Sequence, residues 1–141
     1  VDGLTADNLL VMNSDLLTTI NYEDMFMFHL ESGADMTIAA VPYMVSVPFA
    51  IFRCDGPNVL GLEEKPTYNY YANAGIYIFR RELLSQIPDD TLFDATDLID
   101  LLVKSGRKVV YHPINGTWLD IGSPDDFRHA QELVASLKLN V

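Results

Sequence analysis

Two aspartates, a lysine and a glycine beside an amide are the residues whose types and spacing could do chemistry in this chain. Asp15 follows Val11-Met12-Asn13-Ser14, at the carboxyl end of an apolar run from Leu9 to Met12 that reads as a strand buried on both faces. Open α/β sheets bind ligands outside the carboxyl ends of their strands. A carboxylate there costs free energy unless a metal or a donor compensates it. By itself Asp15 reads more simply as a turn-forming aspartate. Asp120 sits between large apolar residues in Trp118-Leu119-Asp120-Ile121-Gly122, where its plain alternative is to support the amino terminus of a helix starting near Ser123. Glu63-Glu64-Lys65-Pro66 closes a strand with two acids and a base. Charge runs of this kind usually end in solvent, but Lys65 is the sole basic residue between Arg53 and Arg80 and so the natural phosphate partner of that stretch. Asn73-Ala74-Gly75 places an amide and a residue without a side chain inside an apolar strand. A strand glycine marks close approach by a backbone or ligand, with simple packing as the equal alternative. Tyr68, Tyr70 and Tyr71 could stack on a sugar, although covering the sheet is the favoured expectation. His29 and His129 fall on helices, in packing or surface positions, and His112 has no visible partner. Nothing has the pattern of a nucleophile–His–Asp set or a zinc site.

Composition narrows the classes of function. The 141 residues suit one domain spanning 1–141, and a hydrophobic fraction of 49% is that of a folded globule. Nine Lys and Arg against twenty Asp and Glu leave a net charge of −11. That balance argues against nucleic acid, which needs a basic face, and against an anionic membrane surface. A chain this acidic would need a divalent cation to handle phosphorylated substrates. Cys54 is the single cysteine, which excludes an internal disulfide and a cysteine-built metal site. The apolar stretches fall short of the ~20 residues that span a bilayer, and no signal-peptide pattern opens the chain. A soluble, cytoplasmic protein is the expectation.

The elements that must position these residues alternate. Asn21 caps a helix with Glu23 and Asp24 in its first turn, Tyr22, Met25, Phe26 and His29 on one side, and Gly33 at its end. Met36 to Val41 and Val47 to Phe52 read as strands, the second forming a hairpin with Val59–Glu63 across the Asp55-Gly56-Pro57-Asn58 turn. Ala72 to Phe79 is a further strand, Arg81 to Ile87 a short helix closed by Pro88, and a helix capped by Asp94 or Thr96 runs to Gly106. Lys108–His112 and Trp118–Ile121 return as strands. Ser123 and Pro124 start a last helix with Phe127, Ala130, Val134 and Leu137 on one face. The pattern is one α/β unit with a mixed sheet.

Taken in order, Val11-Met12-Asn13-Ser14-Asp15, Glu63-Glu64-Lys65-Pro66, Asn73-Ala74-Gly75-Ile76-Tyr77 and Trp118-Leu119-Asp120-Ile121-Gly122 resemble the sugar-1-phosphate nucleotidyltransferases. Phe93-Asp94-Ala95-Thr96-Asp97-Leu98-Ile99 and Pro124-Asp125-Asp126-Phe127 match the same pattern. The resemblance covers nearly the whole chain and corresponds to the C-terminal two-thirds of the family's catalytic domain. It implies a Rossmann-like fold with a mixed, mostly parallel sheet, truncated at the N-terminus. It also implies a reaction in which an NTP and a sugar 1-phosphate give an NDP-sugar and pyrophosphate. Carried over by motif, Asp15 and Asp120 would hold Mg²⁺ and Lys65 the sugar's phosphate. Glu64 would accept hydrogen bonds from sugar hydroxyls, and Asn73, Gly75 and Trp118 would line the sugar pocket.

Three departures stand out: there is no counterpart of the family's Gly-rich loop with its Arg, Ser14 replaces the common Gly before the metal aspartate, and Phe49-Ala50 replaces a common Tyr-Gly. The expectation is that this chain alone lacks most of the nucleotide site and turns nothing over. A non-catalytic sugar-phosphate-binding or regulatory module of the same fold is the alternative, and a homo-oligomer paired through a sheet edge is a third possibility.

Overall fold

The computed structural model describes residues 5–137. Strands β1 (Asn8–Met12) and β2 (Leu16–Thr18) precede helix α1 (Tyr22–Ser32), and β3 (Met36–Ser46), β4 (Ile51–Asp55), β5 (Asn58–Glu63) and β6 (Thr67–Arg80) follow it. A 3₁₀ segment (Arg81–Gln86), helix α2 (Ala95–Lys104), β7 (Val109–Pro113), β8 (Trp118–Asp120) and helix α3 (Pro124–Leu137) complete the order.

The main sheet has the order β1-β6-β3-β7. β3 and β7 are parallel, whereas β6 runs antiparallel to both β1 and β3. Three strands therefore share one direction and β6 opposes them, so the sheet is mixed, as expected. Because β6 is inserted between β1 and β3, β3–β7 is nevertheless the one parallel pair of neighbours among the described residues. The β2–β8 and β4–β5 pairs are separate two-stranded ladders.

Side chains alternate faces along a strand, and β6 shows what each face meets. Ile76 and Ile78 pack with Ala39, Ile114 and Met25 of α1. Tyr77 and Phe79 pack with Met36, Leu83 and Leu98 and Leu102 of α2. Both faces are covered, so Ala74 to Phe79 is continuously buried, as expected of a strand between two helical layers. The sequence reading assigned that environment to Leu9–Met12, and the structure corrects it: Leu10, Val11 and Met12 are 50%, 44% and 42% exposed. β1 pairs with β6 along one side, at the margin of the described sheet, and apolar composition alone does not separate a marginal strand from a central one.

Helix ends follow local chemistry closely. Asn21 Oδ1 accepts from Glu23 N and Asp24 N at 3.0 and 3.2 Å, and Gly33 ends α1 at φ 62°. Asp94 caps α2 in a reciprocal box with Asp97, and Ser123 Oγ accepts from Asp126 N at 3.2 Å. Each such cap is worth about 1 kcal/mol. Strand limits follow it less well. β3 runs on through Pro42 to Ser46, past its last β7 partner, where a missing N–H can face away from the ladder. The hairpin strand begins at Ile51 instead of Val47, because Pro48 removes a donor and restricts the residue before it. The segment after β6 is a 3₁₀ turn. On α3, Ala130 is buried while Phe127 and Val134 are exposed, and the side chain of Leu137 lies outside the described residues.

Tyr70 and Tyr71 do not cover the core. They are 56% and 55% exposed on the part of β6 that pairs with β3 beyond the helical layers, and Tyr71 lies against Tyr111 with ring centroids 4.6 Å apart. His29 is buried and bridges α1 to two strands, with Nε2 3.1 Å from Asn8 Oδ1 and Nδ1 2.8 Å from Thr37 Oγ1. Asn8 Oδ1 can only accept, so Nε2 carries the proton and Nδ1 accepts from the Thr37 hydroxyl.

Burial, and then the nearby Arg80 charge, hold His29 below its ordinary value of 6.5, with Asp35 opposing. Burial lowers His112 as well. A depressed histidine leaves the unfolded chain binding more protons as pH falls below 6.5. The histidines' share of the stability should therefore be level above that pH, decline as acid is added through the window down to the folded value, and then level off. Urea midpoints measured at pH 8, 6 and 5 check this, and His29→Gln should flatten part of the decline.

Candidate functional site

The candidate site is organised by an irregularity in β6. β3 and β6 pair regularly from Met36↔Phe79 to Ile38↔Tyr77, and again from Ala40↔Asn73 to Ser46↔Thr67. Between the two registers β3 advances from residue 38 to 40 while β6 moves from 77 to 73. β6 thus carries extra residues, bulged around Ala74–Gly75, next to Met12↔Ile76, the final rung with β1. A bulge removes backbone groups from the ladder, and buried ones must find other partners. Gly75 O accepts from Asn13 N at 2.9 Å, and Ala74 O accepts from the indole Nε1 of Trp118 at 2.9 Å. Gly75 N donates to Asn73 Oδ1 at 2.9 Å, while Asn73 Nδ2 donates to the Tyr77 hydroxyl at 3.0 Å. Gly75 is needed twice over. Its φ is 71°, and a Cβ would sit 2.6 Å from Asn13 Nδ2.

These bonds carry the two aspartates. Two residues beyond Asn13, Asp15 lies in the turn that leads into β2, and two residues beyond Trp118, Asp120 ends β8. β2 and β8 are antiparallel with Leu16 opposite Asp120, and Ile121 N donates to Asp15 O at 2.8 Å. Chain segments far apart in sequence are therefore adjacent across one ladder. Both aspartates are exposed. Among the described residues neither carboxylate has a hydrogen-bond or ion-pair partner, whereas the Asp35 and Asp100 carboxylates are both engaged. Two unengaged hard-oxygen donors fit a hydrated divalent cation, since Mg²⁺ is usually held by one or two carboxylates and completed by water and phosphate oxygens. No cluster of three or more His, Cys, Asp or Glu occurs among the described residues, so a fully protein-built cage is not the arrangement found.

Of the other residues singled out, Asn73, Gly75 and Trp118 belong to the bulge, with both ends of the Asn73 amide engaged inside the chain. Glu64 and Lys65 form the turn between β5 and β6, at the far end of the β3–β6 ribbon. No hydrogen bond or ion pair joins them to the aspartates among the described residues. Pro66 is buried and its carbonyl accepts from Val47 N at 3.0 Å, anchoring that turn. Lys65 itself has φ 43°, a backbone state uncommon outside glycine. Sequence reasoning missed two contributors, Asn13 and Tyr77. The signal for Tyr77 was a hydroxyl inside a buried run, because a buried tyrosine O–H usually finds a partner. A cavity of about 440 Å³ lies at the opposite end of β1, against Asn8, His29, Arg80 and Glu82, and contains none of the sequence-predicted site residues.

Comparison with known proteins finds a family model described as nucleotidyl transferase matching residues 2–136. A relative named "Putative mannose-1-phosphate guanyltransferase" in Sulfolobus acidocaldarius is 29% identical over 135 residues, covering 94% of this chain and 37% of its own length. The glucose-1-phosphate adenylyltransferase of Clostridium novyi is 32% identical over 135 residues, covering 87% of this chain and 35% of its own length. The chain thus spans about a third of the length of the curated relatives it matches. The crystal structure of HddC from Yersinia pseudotuberculosis superposes with a TM-score of 0.64 at 22% identity, over 93% of this chain and 57% of that one. At that identity the likeness establishes fold.

The bulge geometry gives a direct expectation. Gly75→Ala should lower the unfolding free energy by at least about 1–2 kcal/mol from its backbone conformation alone, with a further loss from displacing Asn13. Gly33→Ala, at φ 62° but with open space around it, should lose the conformational part and no more. Urea denaturation of the two variants side by side measures the difference.

Proposed function

The chain belongs to the nucleotidyl transferase family, and from that premise we propose that it carries the metal and sugar-phosphate side of a sugar-1-phosphate nucleotidyltransferase site. Because the chain spans about a third of its curated relatives, the whole reaction is stated for a protein of their length. A phosphate oxygen of the sugar 1-phosphate attacks the α-phosphorus of an NTP in line. A new oxygen–phosphorus bond forms, the bond to the β-phosphate oxygen breaks, and pyrophosphate leaves with that electron pair.

The observation that supports the reading is the β2–β8 ladder, which brings the backbone of Asp15 and of Asp120 onto adjoining rungs, neither carboxylate having a partner among the described residues. Asp15 and Asp120 are the residues that would hold Mg²⁺. The chemistry such a cation supplies is neutralisation of charge between the two reacting phosphates. Everything else asked of the protein is positioning, so no side-chain nucleophile is needed. Asn73, exposed beside the buried bulge, and half-buried Trp118 offer a floor for the sugar, and Gly75 lets the chain approach closely. Lys65, in a turn held by buried Pro66 and free of ion pairs among the described residues, is the phosphate partner. Glu64 beside it accepts from sugar hydroxyls.

Relatives named for mannose 1-phosphate and for glucose 1-phosphate set the probes. In a protein of the relatives' length carrying this chain, release of pyrophosphate from NTP and either sugar phosphate should require a divalent cation and stop on chelation with EDTA. Asp120→Asn should cut turnover roughly 100-fold or more, equivalent to about 3 kcal/mol of transition-state stabilisation, with the circular dichroism spectrum unchanged. Unaltered turnover would remove Asp120 from the reaction. Lys65→Ala should raise KM for the sugar phosphate about tenfold while leaving KM for the NTP in place. Sugar-phosphate binding without any pyrophosphate release would favour the non-catalytic module instead.

A further inference from the structure

We infer that the Tyr77 hydroxyl, acting through Asn73, is a positioning group that sets how far apart the Asp15 and Asp120 carboxylates stand. The inference rests on the metal-holding role proposed for those two residues.

The geometry starts from distance along the strand. Residues 73 and 77 of a regular strand are separated by roughly 13 Å at about 3.3 Å per residue, too far for a hydrogen bond between their side chains on one face. The bulge removes that separation, because β6 uses the stretch from Asn73 to Tyr77 where β3 advances only from Ala40 to Ile38. The ends of the bulged stretch are then about 7 Å apart along the ladder, and the Tyr77 hydroxyl accepts from Asn73 Nδ2 at 3.0 Å. The contact closes over the bulge like a staple. Tyr77 is 5% exposed with its ring fixed among Met36, Phe79, Leu83, Leu98 and Leu102, so the hydroxyl is presented from a rigid base. Holding the amide nitrogen turns Asn73 Oδ1 toward Gly75 N, which it accepts at 2.9 Å.

The stapled segment supplies the two carbonyls from which both aspartate-bearing segments hang. Gly75 O receives Asn13 N, two residues before Asp15, and Ala74 O receives the Trp118 indole, two residues before Asp120. The β2–β8 ladder then closes the ring through Leu16↔Asp120 and Ile121 N to Asp15 O. Loosening the bulge lets Gly75 O and Ala74 O move independently, so the two carboxylates no longer hold one spacing. Tyr77 itself touches neither carboxylate in any hydrogen bond among the described residues. Its effect is on where they are held.

Tyr77→Phe deletes the hydroxyl and keeps the packed ring. Tyr111→Phe is the control, a tyrosine on the same sheet that takes no part in the staple. Trp118 is the only tryptophan, so the protein has one indole N–H resonance, and it sits at the bulge. Each variant of this chain is titrated with Mn²⁺ while paramagnetic broadening and hydrogen exchange of that resonance are followed. The expected result for Tyr77→Phe is at least tenfold faster indole exchange and at least threefold weaker Mn²⁺ binding, with far-ultraviolet circular dichroism unchanged and Tyr111→Phe matching the unaltered chain. Asn73→Ala removes the same staple from its other end and should reproduce both changes if Tyr77→Phe fails to fold. Mn²⁺ affinity unchanged in Tyr77→Phe, or in Asn73→Ala where that variant stands in, overturns the inference and leaves the metal-holding role standing. Mn²⁺ affinity of the unaltered chain that does not fall in Asp120→Asn overturns that role, and the inference with it.

Discussion

Buried backbone groups must be hydrogen-bonded, and in this molecule that requirement is concentrated at Ala74 and Gly75. Once β6 bulges there, two carbonyls leave the ladder inside a covered sheet, where an unpaired acceptor costs about 1–3 kcal/mol. One is taken by the backbone N–H of Asn13 and the other by the indole of Trp118. The donors come from segments 105 residues apart in sequence, Asn13 and Trp118, so satisfying one irregularity in one strand also joins early and late parts of the fold. The glycine is there for the same reason, since its φ of 71° and its closeness to Asn13 admit no side chain.

The layered packing makes the bulge rigid. β6 is the central strand that both helical layers use, α1 against Ile76 and Ile78 and α2 against Tyr77 and Phe79. Anchored on both sides just beyond the bulge, β6 cannot slip in register without turning its apolar residues to the wrong face. At the opposite end of the same sheet, Asp35 plays a comparable structural part. Its carboxylate accepts from Lys108 N at 2.9 Å and lies near Arg107 and Arg80, tying the starts of β3 and β7 to the end of β6. The aspartates at the two ends are thus used differently, one consumed by internal partners and two without a partner among the described residues.

Short-range chemistry was the most legible part of the sequence. Asn21, Gly33, Asp94 and Ser123 act as caps and stops because each works within a few residues of itself. Strand limits were less legible where a proline's effect depends on which neighbour lies on its donor side: Pro42 is tolerated within β3, while Pro48 delays the next strand to Ile51. Burial was the least legible. Leu9–Met12 and Ala74–Phe79 both read as apolar strands, yet only the second lies between two helical layers. The exposed Tyr70 and Tyr71 are aromatic strand residues that happen to fall on an uncovered ribbon.

From the sequence by itself came the class of fold, the helix ends and the motifs that set Asp15, Lys65, Gly75 and Asp120 apart, because those depend on residue type, local spacing and the order of short segments. Tertiary structure alone decided that β6 runs against its neighbours, that it bulges, and that Asn13 and Trp118 take the released carbonyls. Whether a strand is central or marginal, and which donor satisfies a given acceptor, is settled by contacts between distant segments. No local pattern carries that information, since it resides in pairings between segments far apart in the sequence.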